Sequence, residues 1–570
     1  MIKKALKQTI RILILLLCIA AVVGVLWLVT KGNTAGDSVA GVQYQHFDTD
    51  AFNNKCGELT KAFEANDKDE VIRLYDELYS DCEELETMYC AAYILYTMDM
   101  DNEYYSDEQN YSYNALEKCG DKLCAICHDI ALSPMAADFS KHVGDTAFKE
   151  FKEYQPYTPK ELEMIAKEQE LTDSYYDLYT DPDVTCEYKG KKWDQDMIDG
   201  PEGDDLYDSD PTGYYMVSEE IEKKFNGKAV PIYKELIDLR NEFAVGRGYK
   251  NYAAYADERE YYRDYSEEEI KLLHEDVKKV SNECVPLLIS FYQSDYDSLP
   301  PMSNDELLST LSKYSEKTSA MAGEAAATLK DEELYSIGDG KSRQPGGYTI
   351  YLPKKERPFI FITNTNYSTL PTLTHEFGHF TEYLNDESGN ILTDKDCIDL
   401  AEIASNGYEG LMMHYYDEVF PKQAESAEKE IIGELMENII YGALVDEFQR
   451  TIYEDPDMTL KEMNQLYAKL NVEYGIPAGD EDGSWAYITH LFEQPMYYVS
   501  YAVSGLAAVQ IWSRSVTDFD GAVKTWEKFI DEGIYNRTYL DVVGKCGLMK
   551  FNEPGAVEAI CRPALDAFKN

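Results

Sequence analysis

Five consecutive residues carry the densest chemical information in this chain: His375-Glu376-Phe377-Gly378-His379. Two histidines four apart on a helix lie on one face, about one turn apart, so both imidazoles can reach one metal ion. Glu376 is the carboxylate expected to take a proton from water activated by that ion. With 8 histidines in 570 residues, about 0.01 such matches arise by chance, so the spacing is a signal. The helix is predicted independently of the motif. Leu373, Phe377, Phe380 and Leu384 step by four, three and four, which gives an apolar face.

Two imidazoles do not close a catalytic zinc site; a third protein ligand is needed, with one position left for water. His414, the next histidine, lies too far on for the short spacing of three-histidine zinc sites. Glu402 is the better candidate. Leu400, Ile403, Gly407 and Leu411 form an apolar stripe, and Glu402, Ser405 and Glu409 project from the other side of that helix. The expected cofactor is one Zn2+ per chain, on His375, His379 and Glu402. Ser405 and Glu409 either hold a zinc-bound imidazole from behind or form a plain polar face.

Downstream, His490 precedes Pro495-Met496-Tyr497-Tyr498-Val499-Ser500-Tyr501, read as a helix opening at Pro495. Tyr497 and Tyr501 are four apart on one face, and phenols are good donors to an oxyanion. The chain holds 47 tyrosines, however, and a bare tyrosine stripe is more often packing.

The elements that must position these groups are mainly helical. Apolar residues recur at three- and four-residue steps from 51 to about 180, and again from Val217 to Leu329. Residues 181–213 are acidic and broken by Gly and Pro, as in a long loop or small hairpin. Gly346–Leu352 and Phe359–Thr363 are β-rich and predict a small sheet. Helices resume at about Thr369. The expected organisation is a cytoplasmic stub and anchor or signal peptide at 1–31 and a tether at 32–50. A helical region at 51–215 and a catalytic domain at 216–570 follow.

Ile12 to Val29 is an unbroken apolar run preceded by Lys3, Lys4, Lys7 and Arg11. Its length and flanking charge predict a single transmembrane helix with the body outside the cytoplasm. Cleavage near Ser38-Val39-Ala40 would instead release a secreted protein. A net charge of −53 excludes wrapping nucleic acid, which needs a basic surface. Eleven cysteines follow the apolar run. Export would permit bridges among those from Cys56 to Cys127, and between Cys546 and Cys561. Cys124-Ala125-Ile126-Cys127-His128 matches the spacing of haem attachment, but no haem-pocket constellation surrounds it.

Several of these segments together resemble the thimet oligopeptidase and oligoendopeptidase F family of zinc metallopeptidases. The segments are His375–His379, Ala401–Ser405 with Glu409, and His490 with Pro495–Ala502; weaker echoes lie at Gly246–Tyr252 and Asp446–Arg450. The resemblance spans about residues 235–550. It implies a mainly α, large helical metallopeptidase body with a deep channel and one small β-sheet near the active site, here preceded by the single N-terminal transmembrane helix. It implies zinc on His375, His379 and Glu402, with Glu376 as base. It implies transition-state stabilisation by His490 and Tyr501, with Tyr497 or Tyr498 nearby. Substrate-binding candidates are Tyr498, Gly347 and Phe361, the last on the strand Phe359–Thr363, where backbone pairing with a peptide is expected. The expected function is zinc-dependent endopeptidase action on short peptides outside the cytoplasm, by a monomer held at the membrane. The alternative is a non-catalytic, zinc-containing surface protein that captures peptides.

Overall fold

The computed structural model describes residues 38–569 except 295, 297, 366–368 and 386–389. Most of the chain is helix. Residues 38–43, within the expected tether, form a hairpin of β1 (Ser38–Val39) and β2 (Val42–Gln43), turned at Ala40 and Gly41, both with positive φ. Val39 is buried, so this stretch packs on the body rather than standing off it.

Three long helices follow: α1 (Thr49–Glu64), α2 (Lys68–Met98) and α3 (Glu103–Ala131). Each starts at an Asp or Asn whose side chain accepts a hydrogen bond from a backbone N–H of the first turn, satisfying one of the donors a helix start leaves open. Their apolar faces, joined by Phe139 and Phe151 from the two short helices that follow, close a core of their own. The eleven described cysteines are all buried and free, so the expected bridges are corrected. Cys124 and Cys127 face that core, and the His128 ring bonds to the Phe151 carbonyl oxygen at 3.0 Å.

The acidic stretch 181–213 is more ordered than a loop. It holds a hairpin of β3 (Cys186–Tyr188) and β4 (Lys191–Trp193), then two short helices, Gln195–Ile198 and Pro201–Ser209. Two long helices, α4 (Pro211–Gly246) and α5 (Glu267–Tyr292), lead into the second core.

A three-stranded sheet comes next, built from β5 (Tyr335–Gly338), β6 (Gly347–Leu352) and β7 (Arg357–Thr363) in the order β5-β7-β6. The period-two alternation of β6 assigns its faces. Tyr348, Ile350 and Leu352 pack towards α2, while Thr349 and Tyr351 face the next helix. β7 is the central strand, paired on both sides. The expectation that Phe359–Thr363 offers backbone to a peptide is therefore corrected. Phe361 is fully buried, its ring stacked on Tyr348 at 4.9 Å. Among the described residues β6, which carries Gly347 and packs beside the helix of His375 and His379, pairs with β7 alone and so keeps one edge open.

Among the helices that follow the sheet are α6 (Leu370–Asn385), α7 (Ile398–Met412), α8 (Ala424–Glu454), α9 (Thr489–Glu493), α10 (Val499–Thr517), α11 (Phe519–Glu532) and α12 (Ala556–Lys569), of which α6, α7, α9 and α10 carry the candidate site residues. Among the described residues no helix is long and apolar enough to cross a membrane. The run Ile12–Val29, on which the expected anchor rested, lies outside them. The transmembrane helix in the expected fold and the single-pass membrane placement are corrected accordingly.

Candidate active site

α6 and α7 are packed so closely that their backbones nearly touch, and glycine is the reason. A Cβ on Gly378 would lie 2.5 Å from the Ser405 Cα. Leu373, Phe377 and Phe380 are fully buried on the core face of α6, each side chain contributing roughly 1.5–3 kcal/mol of burial. That leaves His375 and His379 on the face towards α7. On its other side α7 presents Gly407 and Gly410 to Ile511, Trp526 and Trp512 of α10 and α11. The Trp526 indole N–H donates to the Ala404 carbonyl oxygen at 2.9 Å. The helix bearing Glu402 is thus fixed from both sides.

The geometry follows from this packing. His375 Nε2 lies 3.2 Å from Glu402 Oε2, and His379 Nε2 lies 3.5 Å from the same oxygen. Among the described residues these three form the group whose ligand atoms all fall within 4.8 Å of one another. Two neutral-capable nitrogens and a carboxylate oxygen converging so closely suit a divalent cation of borderline softness. Behind these three side chains, Ser405 Oγ donates to Glu402 Oε2 at 2.8 Å, and Glu409 Oε2 lies 3.7 Å from His375 Nδ1. Burial opposes charge on both Glu402 and His375, but their contacts win. The His379 and His375 imidazoles hold Glu402 well below the usual carboxylate range, and Glu402 and Glu409 raise His375 well above the imidazole range.

Glu376 is buried on the same helix. Thr349 Oγ1 on β6 donates to its carboxylate at 2.8 Å. Thr349 lies 27 residues before Glu376, on the strand face that the pleat turns towards α6, and nothing in its sequence neighbourhood marks it. Tyr383, one turn after His379, stacks beside that ring at 6.5 Å and was likewise not singled out by the sequence; its spacing of four from His379 is the signal that could have found it.

The helix expected to open at Pro495 begins instead at Val499. Between α9 and α10 the chain turns back on itself through Met496, whose φ is +68°. This reversal folds His490 onto the tyrosines. Its ring stacks on Tyr497 at 5.3 Å, with Tyr498 at 5.4 Å and Tyr501 at 6.3 Å. Burial, then Tyr501 and Glu402, push the Tyr497 phenol far above its ordinary range, and burial raises Tyr501 and pushes Tyr498 up to about 12. All three phenols therefore keep their protons and can donate. Burial lowers His490 and favours its neutral form, against the pull of the Glu493 carboxylate.

Comparison with known proteins comes to the same region. Residues 40–154 match the family model of the peptidase M3 N-terminal domain, and residues 339–545 match that of peptidase family M3. The first of these covers a region where the sequence alone suggested no relative. No curated protein matches by sequence. Among solved structures, PZ peptidase A with an inhibitor is similar at a TM-score of 0.71 and 21% identity, covering 93% of this chain and 98% of that one. A Bacillus anthracis protein assigned as an oligoendopeptidase F gives 0.71 and 19%, covering 92% and 97%. Oligoendopeptidase-F from Enterococcus faecium gives 0.58 and 14%, covering 91% and 98%. At these identities the structures speak for the fold.

Proposed function

Because this chain belongs to peptidase family M3, a family of metallopeptidases acting on peptides, we propose that it is a zinc-dependent endopeptidase that cleaves short peptides. The observation that carries the reading is the convergence of His375, His379 and Glu402 on one point, with the buried carboxylate of Glu376 on the same helix. In this reading the three ligands hold one zinc ion, which when bound makes water acidic and polarises a carbonyl.

The chain's own groups do the rest. Glu376, oriented by Thr349, accepts a proton from the attacking water on its carboxylate and passes it to the departing amine nitrogen. Tyr501 and His490, with Tyr497 beside them, donate hydrogen bonds to the carbonyl oxygen as negative charge develops on it. Ser405 and Glu409 keep Glu402 and His375 aimed. Gly347, on the open-edged strand, and Tyr498 contact the peptide.

The test is cleavage of a mixed peptide library by the purified protein, mapped by mass spectrometry with and without a chelator. Internal cleavages that stop on chelation and return with zinc support the reading. Peptides that bind but stay intact would overturn it in favour of capture without cleavage.

A further inference from the structure

The turn that carries the phenols adopts a conformation that side chains disfavour, and it is clamped on every side. Met496 lies in the left-handed region, which non-glycine residues occupy only where their surroundings over-determine them. Three side chains do so here. Gln449 Oε1 accepts from the Met496 N–H at 2.8 Å, Tyr261 OH donates to the Pro495 carbonyl oxygen at 2.9 Å, and Arg263 Nη2 donates to the Met496 carbonyl oxygen at 2.8 Å.

Arg263 does more than hold the turn. Its side chain is fully buried, and its planar fork reaches both halves of the site. Nε lies 3.3 Å from each carboxylate oxygen of Asp399, which sits on α7 one turn before Glu402. Asp399 is itself fully buried and accepts from Tyr265 OH and Ser500 Oγ, each at 2.6 Å. Arg263 Nη2 also donates to Ser500 Oγ at 3.1 Å, one residue before Tyr501. Behind it, Nη1 donates to Asp257 at 2.7 Å, and Arg450 donates to the same carboxylate at 2.8 Å. One guanidinium therefore ties the helix of the third ligand to the turn and helix that carry the donors.

Resting on the reading of His490, Tyr497 and Tyr501 as donors, we propose that Arg263 is a positioning residue that sets the distance between the metal-binding triad and the phenols. Lysine keeps the charge but has one nitrogen. It cannot hold Asp399, Asp257 and the Met496 carbonyl oxygen together. The turn then relaxes, the phenols move away from the reacting carbonyl, and metal binding is left intact because His375, His379 and Glu402 keep their own supports.

The experiment is a kinetic cycle on the zinc-loaded protein with Arg263→Lys, Tyr501→Phe and the double variant. Arg263→Lys alone is expected to lower kcat about 100-fold, the scale of loss from a misplacement near 1 Å. KM should stay within about threefold and zinc at one per chain. In the Tyr501→Phe background the same substitution should cost less than about threefold, because the main donor it misplaces, the Tyr501 hydroxyl, is gone. A kcat within about threefold of the parent, loss of zinc, or a full 100-fold loss in both backgrounds overturns the proposal. Unchanged kcat in Tyr501→Phe overturns the donor reading and this proposal with it. A strong Tyr501→Phe loss to which Arg263→Lys simply adds overturns the positioning role alone. Tyr261→Phe, which removes one hydrogen bond to the turn, repeats the cycle with an expected loss of about tenfold if Arg263→Lys does not fold.

Discussion

In the proposed reaction, Glu376 and its neighbours separate metal binding from proton transfer. The carboxylate of Glu376 bonds to Thr349 on β6, whereas the ligand atoms of His375, His379 and Glu402 meet one another. Glu376→Gln keeps the shape and the hydrogen bond from Thr349 but loses the basic oxygen. It is expected to retain zinc and to lose about 100- to 10,000-fold in kcat. Metal analysis alongside steady-state kinetics checks this; a variant with normal turnover rules Glu376 out as the base. The convergence of the proposed ligands was legible in the sequence because it is built from short-range spacings. His375 and His379 are fixed by a spacing of four, and Glu402 by a helix stripe that leaves it on the polar side. Thr349, Tyr261 and Arg263 were not legible as parts of the site, since their roles are set by tertiary contacts across long stretches of chain.

Elements were readable where a hydrophobic period stood out, and misread where the turn between them decided the geometry. The apolar steps of α6 and α7 and the β-rich runs of β6 and β7 each predict an element of the right kind. Strand order is another matter: nothing in Phe359–Thr363 says that β5, itself unnoticed in the sequence, would cover its second edge. Pro495 is a good first-turn residue and predicts a helix start four residues ahead of α10, while the backbone at Met496 reverses instead. At this scale Gly378 makes the sharpest claim. Gly378→Ala puts a methyl group against the backbone of α7, where no flexible side chain can yield. Overpacking of this kind costs about 1–3 kcal/mol. Parting the helices also draws Glu402 away from the imidazoles, so zinc affinity should fall together with thermal stability. Equal zinc affinity in the two proteins by competition titration would show that the close approach does not set the site.

Across the whole molecule the surplus of acid becomes a pH dependence. With 106 acidic against 53 basic residues, the folded chain repels itself at neutral pH, and some carboxyls are not free to spread into water. Glu86 and Glu260 line a cavity of about 300 Å³ beside β6, with Tyr351, Asp394, Asp396, Ile398 and Tyr535. Burial pushes each of these two carboxyls up to about 7, in Glu86 with help from Asp396 and in Glu260 against the hydrogen bond from Tyr252. A carboxyl whose folded value lies above its unfolded one binds more protons in the fold, so stability falls as pH rises through the interval. For these two groups the contribution is complete below about 4.5 and is lost as pH rises through about 7. His490 pulls the other way, since burial keeps it neutral and acid below about 6.5 favours the unfolded chain. Asp446, buried but held at about 2 by Arg450 and His274, works against the fold only in stronger acid. The zinc-loaded protein should therefore melt on the order of a few degrees higher at pH 6 than at pH 8. Glu86→Gln with Glu260→Gln should flatten that slope, because neither amide has a proton to lose. A melting temperature that is level or falling from pH 8 to pH 6, or a slope the double variant leaves intact, would place the pH dependence elsewhere than in these two carboxyls.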